Sequence, residues 1–537
     1  MISALKTQKF NLSLKLKEIG VPQYVLDNYE ESKLEYMLEK IKDNPWRFYN
    51  KETGFSLKLC ETLAEKFHIS DELEKAKAYL QFAIDKVAEQ GHCYAREWQV
   101  NSNIKKGNFS DYVKQQAIDY LQREGTLFVS PKGNYFLSKY FNAEKKFAEL
   151  LKSLDRQNGY FTGFRKDYSF LYDDLNDAQR EVVDAVEYNH LIVLTGLPGT
   201  GKTTTIRAVV DSYGYDNVVL LAPTGKAASR ISELCRVQAS TLHSFFYNPN
   251  GYINSIVGKI VIVDEVSMLD AEIAGWISEG ISEGCVVILV GDPDQLPSVG
   301  PGQVLKDILD SEIGIRYHLV EIMRQKPGSI IKSAHSIHAG NNLIYGKDNE
   351  VIPYFPNRWD LESITSKICQ HPEWRDAQFL SVLKEKGSAI INKVAQQTLN
   401  PKNIDGFRLG DKVIHTKNNK ELGVFNGEMG TVINNTDRKI TVEFRDKIID
   451  YTGSWLWQLE LAYCITTHKS QGSEFDKVVF FVNESQITSR NIIYTALTRA
   501  KNKILVIAPS EESLQNAISN KQKPRQTSLS WLLKKEQ

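Results

Sequence analysis

The sequence is short of the features that mark secreted, membrane-bound or nucleic-acid-coating proteins. Its six cysteines, Cys60, Cys93, Cys235, Cys285, Cys369 and Cys464, are scattered without a CxxC pair or metal-ligand spacing. That pattern excludes a disulfide framework and a zinc module, and it points to reduced thiols in a cytoplasmic compartment. No 18-residue apolar run occurs, so no membrane span is expected. The opening MISALKTQKF lacks the apolar core of a signal peptide. Excess charge is missing too: 66 Lys and Arg balance 66 Asp and Glu. A generally basic coat is thereby excluded, and any nucleic-acid site must be a local groove. There is no repeat of fixed period, no low-complexity stretch and no nuclease or relaxase signature. What is present is 537 residues, 42% hydrophobic and 25% charged, enough for about three or four globular domains.

Residues 1 to about 165 carry helical patterns such as KLEYMLEKIKDN and ELEKAKAYLQFAIDKVAEQG, with a small winged segment expected at TLFVSPKGNYFLS around the turn Lys132-Gly133-Asn134. From Leu191 the pattern changes to strand, loop and helix. The runs LIVLTG, NVVLLAPT, KIVIVDE and CVVILVGD, and later KVVFFV and KILVIAP, are continuous Val/Ile/Leu stretches ending in polar residues. Such runs predict parallel sheets covered on both faces, an α/β class with ligands at the carboxyl ends of the strands. Between the two sets, RLGDKVIHT, MGTVINN and ITVEFR are short strands separated by Gly and Asn turns, which suit a small inserted barrel. Residues 342–375 are hard to read.

The stretch LTGLPGTGKTTT places Gly196, Gly201, Lys202 and Thr203 at G-x-x-x-x-G-K-[ST] spacing, with Gly199 and Thr204 in the same run. A strand precedes it and a helix follows, the context a phosphate-binding loop needs. Backbone N–H groups can wrap phosphate, Lys202 can reach the β/γ oxygens, and Thr203 can ligate Mg²⁺. In KIVIVDE, Asp264 can hold Mg²⁺ through water and Glu265 can orient or deprotonate an attacking water. The run GDPDQLPSVGPG puts Asp292 and Gln295 where a γ-phosphate would sit, on a stiff Pro/Gly loop able to carry a change to a distant surface. Arg324 and Arg499 come from later in the chain. An arginine supplied by a separate domain acts only when the cleft is shut, which couples hydrolysis to closure.

Gln179 in LNDAQREVV, the phosphate loop, APTGKAA, STLHSFF, VDEVSM, GDPDQLPSVGPG, MRQ, THKSQGSEFD and YTALTRAK occur in the motif order of superfamily 1B helicases. The chain most closely resembles the RecD-like DNA helicases over about residues 170–510. VPQYVLDNY, DNPWRF, GFSLKLCETLAEKF and EQGHCY are similar to the helical N-terminal region of the longer RecD-like enzymes. Where that family has a G-h-G turn this chain has ETGF, with only Gly54.

The resemblance implies two RecA-like parallel-sheet domains (169–325, then 326–402 with 463–537), an SH3-like β-barrel insert at 403–462, and a helical N-terminal region at 1–168. It implies that Gln179 reads the adenine of ATP, that Gly196, Gly199, Gly201, Lys202, Thr203 and Thr204 hold the nucleotide, and that Thr203 and Asp264 hold Mg²⁺. Asp264 and Glu265 would drive hydrolysis, and Gln295, Arg324 and Arg499 would sense or stabilise the γ-phosphate. Single-stranded DNA would run along Pro223, Thr224, Lys226, Thr241, His243, Thr467, His468 and Ser470, donors suited to phosphate contacts made and broken at each step. Phe245, Phe246, Tyr247, Trp455 and Trp457 are candidates for base stacking. The implied activity is 5'-to-3' translocation by an ATP-dependent helicase acting at duplex junctions, working as a monomer. A strand-separating pin is expected near 246–258, where Asn250-Gly251 signals a tight turn. A nucleotide-binding structural subunit of a recombination or nuclease complex and an RNA helicase of the same superfamily are the rival readings, and repair, recombination and replication all stay open. His92-Cys93 has no partner pair for a metal.

Overall fold

The computed structural model describes residues 2–157, 170–246, 254–282, 284–321, 328–345, 350–401, 406–419, 421–436, 439–445, 447–482 and 487–534. The chain divides into two compact units. The first holds residues 1–145 together with Gly300–Gly302 and Arg525–Ser528. Three of its amphipathic helices begin at side-chain caps. Ser56 accepts from Leu59 N, Asp71 from Glu74 N and Ser110 from Val113 N, each satisfying an amide the helix start leaves unpaired. They enclose a core that includes Trp46, Phe55, Tyr79 and Leu80. The winged segment is present as an antiparallel hairpin, with a further strand beside it. The strands are β1 (Tyr94–Arg96), β2 (Leu127–Val129) and β3 (Asn134–Leu137), in the order β1-β3-β2. Gly133, at φ +74°, takes the left-handed position the hairpin turn needs.

The late segment 525–528 is knitted into this first unit. Arg525 Nη1 donates to the carbonyls of Gly300 (2.9 Å) and Gly302 (2.7 Å), and Gly302 N donates to Gly91 O at 2.9 Å. Cys93 N donates to Gln526 O (2.7 Å) and Gln526 N to His92 Nδ1 (2.9 Å). The pair His92-Cys93 thus serves a backbone junction. Gly91 passes directly under the Arg525 guanidinium, where any side chain would collide.

The second unit contains the two parallel sheets and the insert. Strands β4 (Leu191–Gly196), β5 (Val218–Ala222), β6 (Ala239–Thr241), β7 (Ile260–Val263), β8 (Val286–Gly291) and β9 (Ile315–Leu319) form one sheet in the order β6-β5-β7-β8-β4-β9. Every pairing in it is parallel. The buried runs of β4, β7 and β8 meet helices on both faces, which is why they show no alternation. After β10 (Val351–Tyr354) and β11 (Gln378–Ser381) the chain leaves the second sheet. It builds β12 (Lys412–His415), β13 (Met429–Thr436), β14 (Lys439–Glu443), β15 (Ile448–Thr452) and β16 (Leu459–Leu461), an antiparallel SH3-like insert. The insert has its own core of Val413, Val424, Val432, Val442 and Tyr451. The chain then returns through β17 (Cys464–Thr466), β18 (Phe475–Phe481) and β19 (Ala500–Ile507), giving the order β10-β19-β18-β11-β17, all parallel. The first sheet with its helices is called lobe 1 below and the second lobe 2. Residues 342–375 contribute β10 and the helix Leu361–Gln370 to lobe 2.

Candidate active site

The carboxyl end of β4 turns at Gly196 into the loop 197–201, and the helix Lys202–Tyr213 starts immediately after it. Gly199 and Gly201 sit at φ +81° and +87°, conformations that favour glycine. Gly196 is required for space, since a Cβ there would meet Thr200 Oγ1 at 2.7 Å and Leu319 O at 2.8 Å. Lys202 Nζ donates to Gly196 O (2.5 Å) and Leu197 O (3.2 Å), which holds the ammonium over the loop. Gly199, Gly201, Lys202, Thr203 and Thr204 all line one cleft of about 370 Å³. Gln179 lies outside that lining, against the loop. Its Oε1 accepts from Asn176 N and its Nε2 donates to Thr200 O, so both ends of the amide are engaged within the protein.

From the ends of β7 and β8 come Asp264, Glu265, Asp292 and Gln295, all on the same cleft. Burial and the adjacent Glu265 charge push the Asp264 carboxyl above the ordinary range, while the Glu265 amide and Lys202 pull it back. Glu265 adopts φ +54°. A non-glycine residue there costs on the order of 1–3 kcal/mol, and such strain collects at functional sites. Lobe 2 supplies the opposite wall. Arg499 is buried, donates through Nη2 to Gln295 Oε1 at 3.2 Å, and is anchored by the carbonyls of Thr495 and Ser473. Burial lowers the guanidinium pKa and the Glu265 charge opposes that shift.

The structure therefore gathers Lys202, Thr203, Asp264, Glu265, Gln295 and Arg499 at one cleft. Arg324 lies outside the described residues. The cleft also contains residues not singled out from sequence. Arg230, four positions after Lys226 on the helix Gly225–Cys235, pairs with Glu474 at 2.6 Å. Ile330, Ile331 and Ala334 present an apolar wall from the helix Ser329–His338, and behind the cleft lining Tyr494 donates to Asp292 Oδ2.

The residues proposed to line a DNA strand are placed less uniformly. Pro223 and Thr224 follow β5, and Thr241 ends β6 beside it, so these three share one end of the sheet. Thr224 caps the helix Gly225–Cys235, and a Cβ on Gly472 of the THKSQG run would lie 3.1 Å from its Oγ1. Lys226 is half-buried, and desolvation lowers its pKa to about 8 against the opposing pull of Glu428. His243 packs edge-on to Trp276 at 4.7 Å, and burial lowers its pKa. Thr467 and Ser470 are fully buried and spend their hydroxyls on Ser381 O and Thr467 O. Of the three residues proposed from that motif, Thr467, His468 and Ser470, His468 alone is half-exposed. Phe246 is core, not a stacking surface, because the sheet and the helix Ala271–Gly280 close over it. Phe245 and Trp455 are partly buried against cores, whereas Trp457 is exposed beneath the Lys417 ammonium. Tyr247 and the pin residues 247–253 lie outside the described residues.

Four family profiles match the chain. They are an AAA domain over residues 174–350, a UvrD-like helicase C-terminal domain over 461–507, an ATP-dependent RecD-like DNA helicase SH3 domain over 391–444, and an ATP-dependent RecD2 DNA helicase HHH domain over 6–94. The ATP-dependent RecD2 DNA helicase of Deinococcus radiodurans is 32% identical over 421 residues, covering 74% of this chain and 58% of that protein. The chain thus spans little more than half the length of that relative. The RecBCD enzyme subunit RecD of Mycobacterium tuberculosis is 28% identical over 410 residues, covering 64% of this chain and 71% of its own. Among solved structures, Bacteroides Pif1 helicase in complex with ADP-AlF3 and ssDNA is 21% identical with a TM-score of 0.43, covering 63% of this chain and 94% of that one.

Proposed function

This chain belongs to the RecD-like helicases of superfamily 1B, and from that premise we propose that it is an ATP-driven motor moving 5'-to-3' along single-stranded DNA and unwinding duplex. The observation that carries this is the single cleft in which the phosphate loop, Asp264 and Glu265 of lobe 1 face Arg499 of lobe 2. A purely structural nucleotide-binding subunit has no need of an acid pair and a trans-lobe arginine at one site. Lys202 binds the β/γ phosphate oxygens, Glu265 orients the attacking water, and Gln295 with Arg499 meets charge developing on the γ-phosphate. Thr203 and Asp264 offer hard oxygen donors beside the phosphate loop, the donor set a Mg²⁺ ion takes while keeping several waters. When bound, Mg²⁺ would neutralise phosphate charge there.

Because Arg499 and Gln295 reach each other only with the lobes together, hydrolysis and product loss alternate closure with opening, and residues of both lobes grip the strand in turn. Thr224, Lys226, Thr241, His243 and His468 are the proposed contacts. Monomeric action and a cytoplasmic setting complete the proposal, the latter supported by six buried cysteines that form no disulfide. The test is a tailed-duplex unwinding assay with 5' or 3' single-stranded tails of DNA or RNA, run alongside strand-stimulated ATPase. Unwinding of the 5'-DNA-tailed duplex alone is expected. A requirement for the 3' tail would overturn the polarity, RNA preference would favour the rival helicase, and ATP binding without turnover would leave the structural subunit.

A further inference from the structure

Tyr494 sits on the helix Arg490–Leu497 of lobe 2 and is only 1% exposed. Its hydroxyl donates to Asp292 Oδ2 at 2.7 Å, and Asp292, just past the end of β8 in lobe 1, is equally buried. The other oxygen of Asp292 accepts from Asp294 N at 3.0 Å. Gln295 Nε2 lies 3.4 Å from Oδ2, a weak donor, and Gln295 Oε1 takes the Arg499 Nη2 hydrogen bond. A chain of side chains therefore leaves lobe 2 at Tyr494, crosses to Asp292 and Gln295, and returns to lobe 2 at Arg499. The same loop is held at its backbone. Leu296 N donates to Thr495 Oγ1 (3.0 Å), Gln471 Nε2 to Leu296 O (2.7 Å) and Asn491 Nδ2 to Asp294 O (2.9 Å).

Packing alone does not account for the phenol, since phenylalanine would fill the same volume. A buried carboxylate, by contrast, loses heavily without a donor. Burial, and then the Asp292 charge, hold the phenol well above its ordinary pKa, so it keeps its proton. The donor is in reach only when the lobes are together, whereas water can serve Asp292 when they part. Once Oδ2 is fixed by the phenol, the Gln295 amide is oriented with its nitrogen toward Asp292 and its oxygen toward the guanidinium. This orients Gln295 and Arg499 without any contact of Tyr494 with nucleotide.

We propose that Tyr494 is a positioning residue that, by donating across the cleft to Asp292, sets Gln295 and Arg499 for γ-phosphate cleavage in the closed lobes. The inference rests on the motor reading above. In Tyr494→Phe, strand-stimulated kcat should fall about tenfold or more, the scale of one hydrogen bond to a charged group. KM for ATP should stay within about twofold and the melting temperature should hold. Asp292→Asn, which leaves the phenol in place and weakens the acceptor, should lower kcat similarly, and the double variant should be no worse than the poorer single one. Asp292→Asn carries the same expectation if Tyr494→Phe does not fold. Wild-type turnover in Tyr494→Phe, a loss confined to KM or melting temperature, or multiplying losses in the double variant would overturn the proposal. If the wild type shows no strand-stimulated ATPase, the motor reading fails. Amide exchange at Asp294 and Leu296 then decides the contact alone: faster exchange in Tyr494→Phe supports it, and unchanged exchange ends it.

Discussion

Lys202 and Arg499 line one cleft from opposite lobes, and the proposed mechanism makes different demands of them. In that mechanism Lys202 reaches the phosphates from the loop itself, so Lys202→Ala should abolish ATP turnover while melting temperature stays near wild type, because only the Gly196 and Leu197 carbonyls lose a donor. In the same proposed mechanism Arg499 acts from the opposite lobe on charge that develops during cleavage. Arg499→Ala should lower kcat by about 10³ or more with ATP affinity little changed. Steady-state ATPase beside equilibrium binding of a fluorescent ATP analogue separates the two. Lys226 brings a pH dependence. Its pKa falls from 10.5 unfolded to about 8 in the fold through desolvation, so between those values the unfolded chain binds more protons and stability rises with pH. Below about pH 8 the partly desolvated charge is fully present and opposes folding. Lys226→Met should therefore raise the melting temperature at pH 7, flatten its rise between pH 8 and 10.5, and weaken single-strand binding. A melting temperature lowered at pH 7 would contradict this.

The junction of β4 with the following helix carries a prediction for a whole element. Gly196→Val would drive its side chain into Thr200 Oγ1 and Leu319 O, displacing the loop from β9. ATP binding should be lost while circular dichroism stays that of a folded α/β protein. The apolar runs that became β4, β5, β7, β8, β18 and β19 were legible because strands covered on both faces need unbroken apolar side chains. The short β6, with its AST, and the half-exposed β9, IRYHL, carry no such signature. β11 hides for another reason: it begins with buried Gln378, whose amide is satisfied by the carbonyls of Phe379, Ala462 and Tyr463. At the cleft, glycines and acids at fixed spacing were readable. The inward turn of Thr467 and the reach of Tyr494 to Asp292 depend on partners 86 and 202 residues away, which no local pattern encodes.

At the scale of the molecule, the first compact unit is not built from a continuous stretch of chain. Residues 525–528 and 300–302 complete it, and Arg525 is the clasp. Arg525→Ala should speed amide exchange at Gly302 and Cys93 while the strands of both parallel sheets keep their protection. Unchanged exchange at those two amides would show that backbone pairing suffices without the guanidinium.

That clasp also sets a schedule for synthesis. Gln526 meets His92 across 434 residues of sequence, and at ~5–20 residues per second a ribosome needs roughly 20–90 s to supply it. Until then the Cys93 amide and the turn at Gly91 stand open to water and to other chains, so this unit is finished long after its helices are made. A nascent chain stalled before residue 525 should accordingly be cut by protease near residues 91–93, and one released beyond residue 528 should resist.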